Sequence, residues 1–260
     1  MEADRRSLAT SPGSKAGALS SEERADALEE TMMRQLHKPA ASGPVPKLRR
    51  GTGVLFGGLT PSGLPLDLAA LSPMPPRPMI VDFFKLRFMP HTVTHMLQSA
   101  NDAQKKGEAE ETVLACLLHD IAVNLMKVDH GWWAAQMVEP YVSEKVSWAI
   151  RYHQALRFFP DPAVGYGYPE RYVQIFGEGY VPEPYIKAAY EQARRHKWYM
   201  EARMITVHDL YAFEPGVHPT LEPFIDVIGR HFKQPKEGLG FDGSPVAHMW
   251  RSLIYPDNPL

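Results

Sequence analysis

The chain has 260 residues, 44% of them hydrophobic and 22% charged, with a formal net charge of −2. This is an ordinary soluble globular composition, long enough for one domain with a sizeable core. The near-neutral balance, without a compensating Lys/Arg run, leaves no electrostatic footprint for nucleic acid or an anionic membrane, so small-molecule chemistry is the expectation. No stretch approaches about 18 apolar residues and the N-terminus lacks the apolar region of a secretory signal, which makes a cytoplasmic location the expectation and leaves no membrane partner. The single cysteine, Cys116, excludes an intrachain disulfide and reads as a packed core thiol.

Residues 1–45 are rich in Ser, Ala, Gly, Pro and charge, and only SSEERADALEETMMRQLHK has helical periodicity behind a Ser cap. They read as a mobile arm with one short helix. Residues 46–80, with GTGVLFGGLTPSGLPLDLAALSPMPPRP, are punctuated by Gly and Pro every few residues and read as an irregular wrap. From residue 81 to 260 the pattern is that of a helical core with a C-terminal extension. Its helical segments are HTVTHMLQSANDAQKKG, EAEETVLACLLHDIAVNLM, HGWWAAQMVEPY, VSEKVSWAIRYHQALRFF, PEPYIKAAYEQARRHKWYMEARMITVHDLYAF and LEPFIDVIGRHF. No run alternates as a strand and no internal repeat is present, so the predicted fold is all-α in one domain.

The adjacent pair His119 and Asp120 lies inside the apolar run LACLLHDIAVNL. Left unpaired there, a carboxylate and an imidazole would cost several kcal/mol, and coordination to a metal cation is one way to offset that burial. A hydrogen-bonded Asp–His pair or a helix-terminal cap would be others. Further His and Asp residues favour the metal: His95 on the preceding segment, then His130, His153 and Asp209, each in a mostly apolar helical stretch. Four histidines and two aspartates suit Fe, Mn or Zn rather than Ca, and they exceed the needs of one tetrahedral site. Two adjacent metals bridged by an Asp are the economical reading.

The ordered series H…HD…D on helices resembles the HD-domain superfamily, over about residues 81–215. The resemblance implies that His95, His119, Asp120 and Asp209 hold one metal, and that Asp120, His130 and His153 hold the other, with Asp120 as the bridge. It also implies one of two chemistries. One is oxygenation by a mixed-valent di-iron centre, as in the myo-inositol oxygenase and organophosphonate-cleaving oxygenase type; the other is metal-dependent phosphohydrolysis of a nucleotide or phosphate ester. A regulatory module with a degenerate site is disfavoured because no position of the series is lost.

The intervals of the series look like those of the small phosphonate-cleaving oxygenases, except that His119 to His130 is shorter, and Arg203 precedes Asp209 as in their final helix. HD-x-x-K hydrolases carry a lysine where this chain has Val123, which tilts the expectation toward an oxygenase with two iron ions, Mn, Zn or Mg being the alternatives. Val123 also replaces the phosphonate-contacting histidine of HDIGH, so a phosphonate is not the expected substrate. Arg157 stands where those enzymes carry an anion-reading lysine, and it is the candidate catalytic and substrate-binding cation for a small polar, anionic substrate oxidised with O2. The aromatic segment GYGYPERYVQIFGEGYVPEPY, with Tyr168, is placed to form a lid or pocket wall or to pack on the core. Trp132, beside His130, is the other candidate pocket residue. His91 at a helix start and His208 beside Asp209 stay outside the ligand set, and Lys127 reads as a surface lysine.

Overall fold

The computed structural model of the chain describes residues 72–123, 125–126 and 129–255; the expected arm, the wrap as far as residue 71, and Lys127 lie outside them. Among the described residues there are ten α-helices and no strand. They are α1 (Ile80–Leu86), α2 (Pro90–Lys105), α3 (Glu110–Leu118), α4 (His130–Val138), α5 (Glu144–Leu156), α6 (Glu170–Phe176), α7 (Pro184–Ala193), α8 (Tyr199–Leu210), α9 (Ile225–His231) and α10 (Ala247–Ile254). The fold is all-α, as the periodicity predicts. None of these helices is long and apolar enough to cross a membrane.

Local chemistry sets the helix ends. Pro90 opens α2, where its missing N–H is no loss. The Ser143 hydroxyl caps α5 by accepting from the Val146 N–H at 3.4 Å. Glu110 and Glu111 in the first turn of α3 suit the positive end of its dipole.

Two helices end earlier than their hydrophobic pattern predicts. The pattern through residue 126 predicts a continuous helix, yet α3 stops at Leu118. The Cys116 carbonyl, which the Asp120 N–H would take in a continued helix, instead faces His119 Nδ1 at 2.8 Å. The chain then proceeds through turns, with the Val123 N–H donating to the Asp120 carbonyl at 3.0 Å. The segment 182–213 is likewise two helices rather than one. Between them the His196 ring stacks on Trp148 of α5, with centroids 4.2 Å apart, and its Nδ1 accepts from the Trp198 N–H. Docking of that ring turns the chain between α7 and α8.

Helix α3 is buried along Thr112–Leu118, and it packs against α2, α5, α8 and α9. Helix α5 packs in turn against α4, α7 and α8. At the far side α10 buries Trp250, whose ring meets Phe83 of α1 edge-on at 4.8 Å while its indole N–H donates to the Met137 carbonyl. Residues 72–79 are irregular and run against the C-terminal region, where the Leu239 N–H donates to the Pro78 carbonyl at 2.8 Å. Gly238 makes that approach possible: its φ is +92°, and a Cβ there would lie 2.6 Å from Pro78.

Candidate metal centre

Five elements deliver six side chains to one buried point. His95 comes from the middle of α2, His119 and Asp120 from the turn just past α3, His130 from the start of α4, His153 from α5 and Asp209 from α8. All six are buried, and His119 and His153 have no exposure to solvent. The sequence series is therefore a spatial cluster.

Hydrogen bonds fix the orientation of three of the four rings. His95 Nδ1 lies 3.0 Å from the Ala212 carbonyl, His119 Nδ1 2.8 Å from that of Cys116, and His153 Nδ1 2.6 Å from that of Ile150. A carbonyl only accepts, so each of these Nδ1 atoms carries a proton and Nε2 is the nitrogen that faces the cluster. This is the usual way a protein sets the tautomer of a metal-binding imidazole.

The Nε2 atoms and carboxylate oxygens fall into two groups, His95–His119–Asp120 and Asp120–His130–His153, each within ligating distance of a shared point. His95 and His119 Nε2 are 3.3 Å apart, as are those of His130 and His153. Asp120 Oδ1 faces His130 at 3.0 Å, His119 at 3.5 Å and His153 at 3.7 Å, while Oδ2 faces His95 at 3.4 Å. Asp209 Oδ1 lies 3.0 Å from His95 Nε2. Bonds of about 2.0–2.2 Å meeting at tetrahedral or octahedral angles place neighbouring donor atoms roughly 2.9–3.6 Å apart, so these spacings suit a metal of that bond length. Asp120 Oδ1 and Asp209 Oδ1 are buried without a hydrogen bond, which is the state a cation would relieve. Nitrogen and carboxylate oxygen donors suit Fe, Mn or Zn.

The electrostatics tell the same story from the proton side. Burial opposes charge on His95, but the close carboxylates of Asp120 and Asp209 outweigh it and push its pKa up to about 10. Burial holds His119 down to about 4 and also lowers His153. Asp120 is held well below the usual carboxylate range despite its burial, by electrostatic attraction from the imidazoles around it. Burial likewise opposes ionisation of Asp209, and the neighbouring Arg157 and His95 overcome it. The cluster calls for positive charge between its carboxylates.

Arg157 ends α5 beside this cluster. Its Nε lies 3.2 Å from Asp209 Oδ2 and donates to the Tyr172 hydroxyl, and its guanidinium lies 5.1 Å from the Tyr172 ring centre. Its terminal nitrogens make no hydrogen bond to a described residue. A cavity of about 220 Å³ abuts Asp209, lined by Tyr166, Tyr172, Thr206, Leu210 and Phe213, with Glu170 and Arg171 of α6 on one side. Tyr168 and Trp132 are not among the residues lining this cavity. Tyr168 meets Tyr172 edge-on at 5.9 Å and buries its hydroxyl without a partner. Trp132 lines a separate cavity of about 310 Å³ with Phe158 and Tyr185, which no member of the histidine–aspartate cluster lines.

Further residues shape the site: Tyr166 and Tyr172 of the aromatic segment 165–185 and Arg203, which the sequence singled out, and Phe213 and Gly131, which it did not. Phe213 stacks on the His95 ring, with centroids 4.5 Å apart. Tyr166 and Tyr172 form the cavity wall. Gly131 lets α4 approach α5, since a Cβ there would lie 2.7 Å from the Ile150 carbonyl oxygen and 2.9 Å from His153 Cε1. The HG dipeptide, a glycine just inside a helix start beside a candidate ligand, was the one available signal. Arg203 is fully buried and ties α8 to the end of α5, its Nη1 donating to the Leu156 carbonyl at 3.1 Å. His208 points away from the cluster, meeting Asp102 at 2.7 Å and Glu108 at 3.3 Å, and Cys116 is a buried free thiol. No family model matches the chain, and no curated protein does.

Proposed function

We propose that the chain is an HD-domain type metalloenzyme of the cytoplasm that holds two irons and oxidises a small anionic substrate with O2. The observation that carries this reading is the sharing of Asp120 by two buried His–Asp groups, with both of its oxygens directed at histidine nitrogens. A single structural ion pair has no need of four inward-facing imidazoles. In this reading His95, His119, Asp120 and Asp209 hold one metal, and Asp120, His130 and His153 the other.

Bound iron would supply the redox chemistry that O2 requires. The protein's own part is to place the substrate and keep water away. The cavity beside Asp209 offers Tyr166, Tyr172, Leu210 and Phe213 as a largely apolar wall and Arg171 as a lining cation, while Arg157 pairs with Asp209 behind it and would lend positive charge to an anionic substrate held there. Val123 in place of a lysine after the HD pair supports oxygenation over phosphodiester cleavage.

Oxygen uptake by the iron-loaded protein, measured against a panel of small carboxylates, polyols and phosphate-bearing compounds, tests the proposal. Substrate-dependent O2 consumption supports it. Phosphate release from nucleotides or phosphate esters without O2 consumption replaces it with a phosphohydrolase.

A further inference from the structure

We infer that Arg157, clamped by Tyr172, is a positioning residue that fixes the candidate ligand Asp209 as a one-oxygen donor. The inference rests on the metal-site reading above and goes beyond it, because it gives Arg157 a role that does not depend on substrate.

The two oxygens of Asp209 have different partners. Oδ1 faces His95 Nε2 at 3.0 Å and has no hydrogen bond, whereas Oδ2 faces Arg157 Nε at 3.2 Å. An ion pair on one oxygen opposes turning of the carboxylate about its Cβ–Cγ bond and favours donation through the other. Held so, Asp209 would offer a bound metal one oxygen while the other stays with Arg157.

Arg157 is itself built in. Its carbonyl accepts from the Tyr166 hydroxyl at 2.9 Å, and the preceding carbonyl, of Leu156, accepts from buried Arg203. Its Nε also donates to Tyr172, whose ring packs against the guanidinium. Such a web is not needed for a solvated surface arginine, and it leaves the guanidinium little freedom to leave Asp209.

Tyr172 belongs to α6, a seven-residue helix with no buried residue. Glycines with positive φ flank it, Gly165 on one side and Gly177 and Gly179 on the other. The same helix carries Arg171, which lies over the Phe213 ring at 4.7 Å, and Phe213 stacks on His95. Two ligands of one candidate metal group, Asp209 and His95, are therefore each one side chain away from a residue of α6.

The test uses the full-length protein loaded with Co2+, whose visible absorption reports its coordination, and follows release of both ions to a chelator. His153→Ala, which removes a ligand of the second group alone, assigns the two phases. Arg157→Gln is expected to speed release from the His95–His119–Asp209 group by about tenfold or more and to alter its Co2+ spectrum, with a smaller change in the other phase. Tyr172→Phe removes the clamping hydroxyl without changing any charge and is expected to move the same phase in the same direction by less. Unchanged or slower release in Arg157→Gln overturns the inference while the metal-site reading stands. If Arg157→Gln does not fold, the partly buried Tyr172→Phe decides the matter by the same criterion. A wild-type protein that binds no Co2+ overturns both.

Discussion

Gly131→Ala separates stability from metal binding, because the residue sits where α4 meets the metal-facing side of α5. The added Cβ would lie 2.7 Å from the Ile150 carbonyl oxygen and 2.9 Å from His153 Cε1. Carbon-to-oxygen contacts need about 3.3 Å or more, so α4 must withdraw by roughly 0.6 Å. The obstacle is backbone, which a side-chain rotation cannot clear. Overpacking of this kind costs about 1–3 kcal/mol, while replacing Gly by Ala in a helix returns roughly 1 kcal/mol. The net loss of stability is therefore about 0–2 kcal/mol, a fall in Tm of no more than ~8 °C. Metal binding responds differently. His130 is the residue before Gly131, and its Nε2 faces His153 Nε2 at 3.3 Å and Asp120 Oδ1 at 3.0 Å. A shift of half an ångström in one ligand relative to the others exceeds the tolerance of a preorganised site. Elemental analysis and chelator competition are expected to show loss of the His130–His153 metal by tenfold or more in affinity, on the order set by comparable ligand-support changes. The other metal is retained and the circular dichroism spectrum is unchanged. Wild-type affinity at both sites in a folded Gly131→Ala protein would refute the packing argument.

Other expectations follow from the same contacts. Arg203→Ala removes a buried guanidinium that meets the Leu156 carbonyl and approaches Asp161 at 3.7 Å, and it should lower stability by about 2–4 kcal/mol in urea titrations, the partly exposed Asp161 keeping the loss below that of a sealed pair. Glu110 is drawn down to about 2 by Arg230 and then His231, which joins α3 to α9. A depressed carboxyl stabilises the fold above its unfolded value near 4.3, and that contribution is lost as pH falls toward 2. The Tm difference between wild type and Glu110→Gln should accordingly be present at pH 7, shrink over that window, and weaken in high salt. Phe213→Ala should loosen the His95 ring, and a change in the Co2+ spectrum with an unchanged Tm would be its signature; an unchanged spectrum would mean that the stack does not support the ligand.

The helical class and the six-residue series were legible because both are local signals. Apolar residues at helical spacing mark the buried faces, and a His or Asp within such a face stands out as a polar group needing a partner. The ends of the elements were less legible, because they are decided by bonds the periodicity does not register. Residues 119–126 continue an apolar pattern, but His119 Nδ1 faces the Cys116 carbonyl that would have continued the helix. Residues 194–198 look helical until the His196 ring finds Trp148, distant in sequence. The walls of the site were less legible still. Tyr166, Tyr172 and Phe213 are ordinary aromatic residues whose placement depends on how the chain between α5 and α8 folds over Asp209. Trp132 looked equivalent beside His130, yet the α4 register turns it toward a different cavity.

The central claim is that two metals share Asp120, and the most direct measurement is the metal content of protein purified without oxygen, alongside Asp120→Ala prepared identically. About two irons per chain in the wild type, both lost in the folded variant, is the predicted result. Wild-type protein with no bound transition metal, or an Asp120→Ala protein that keeps its full metal content, would contradict the account.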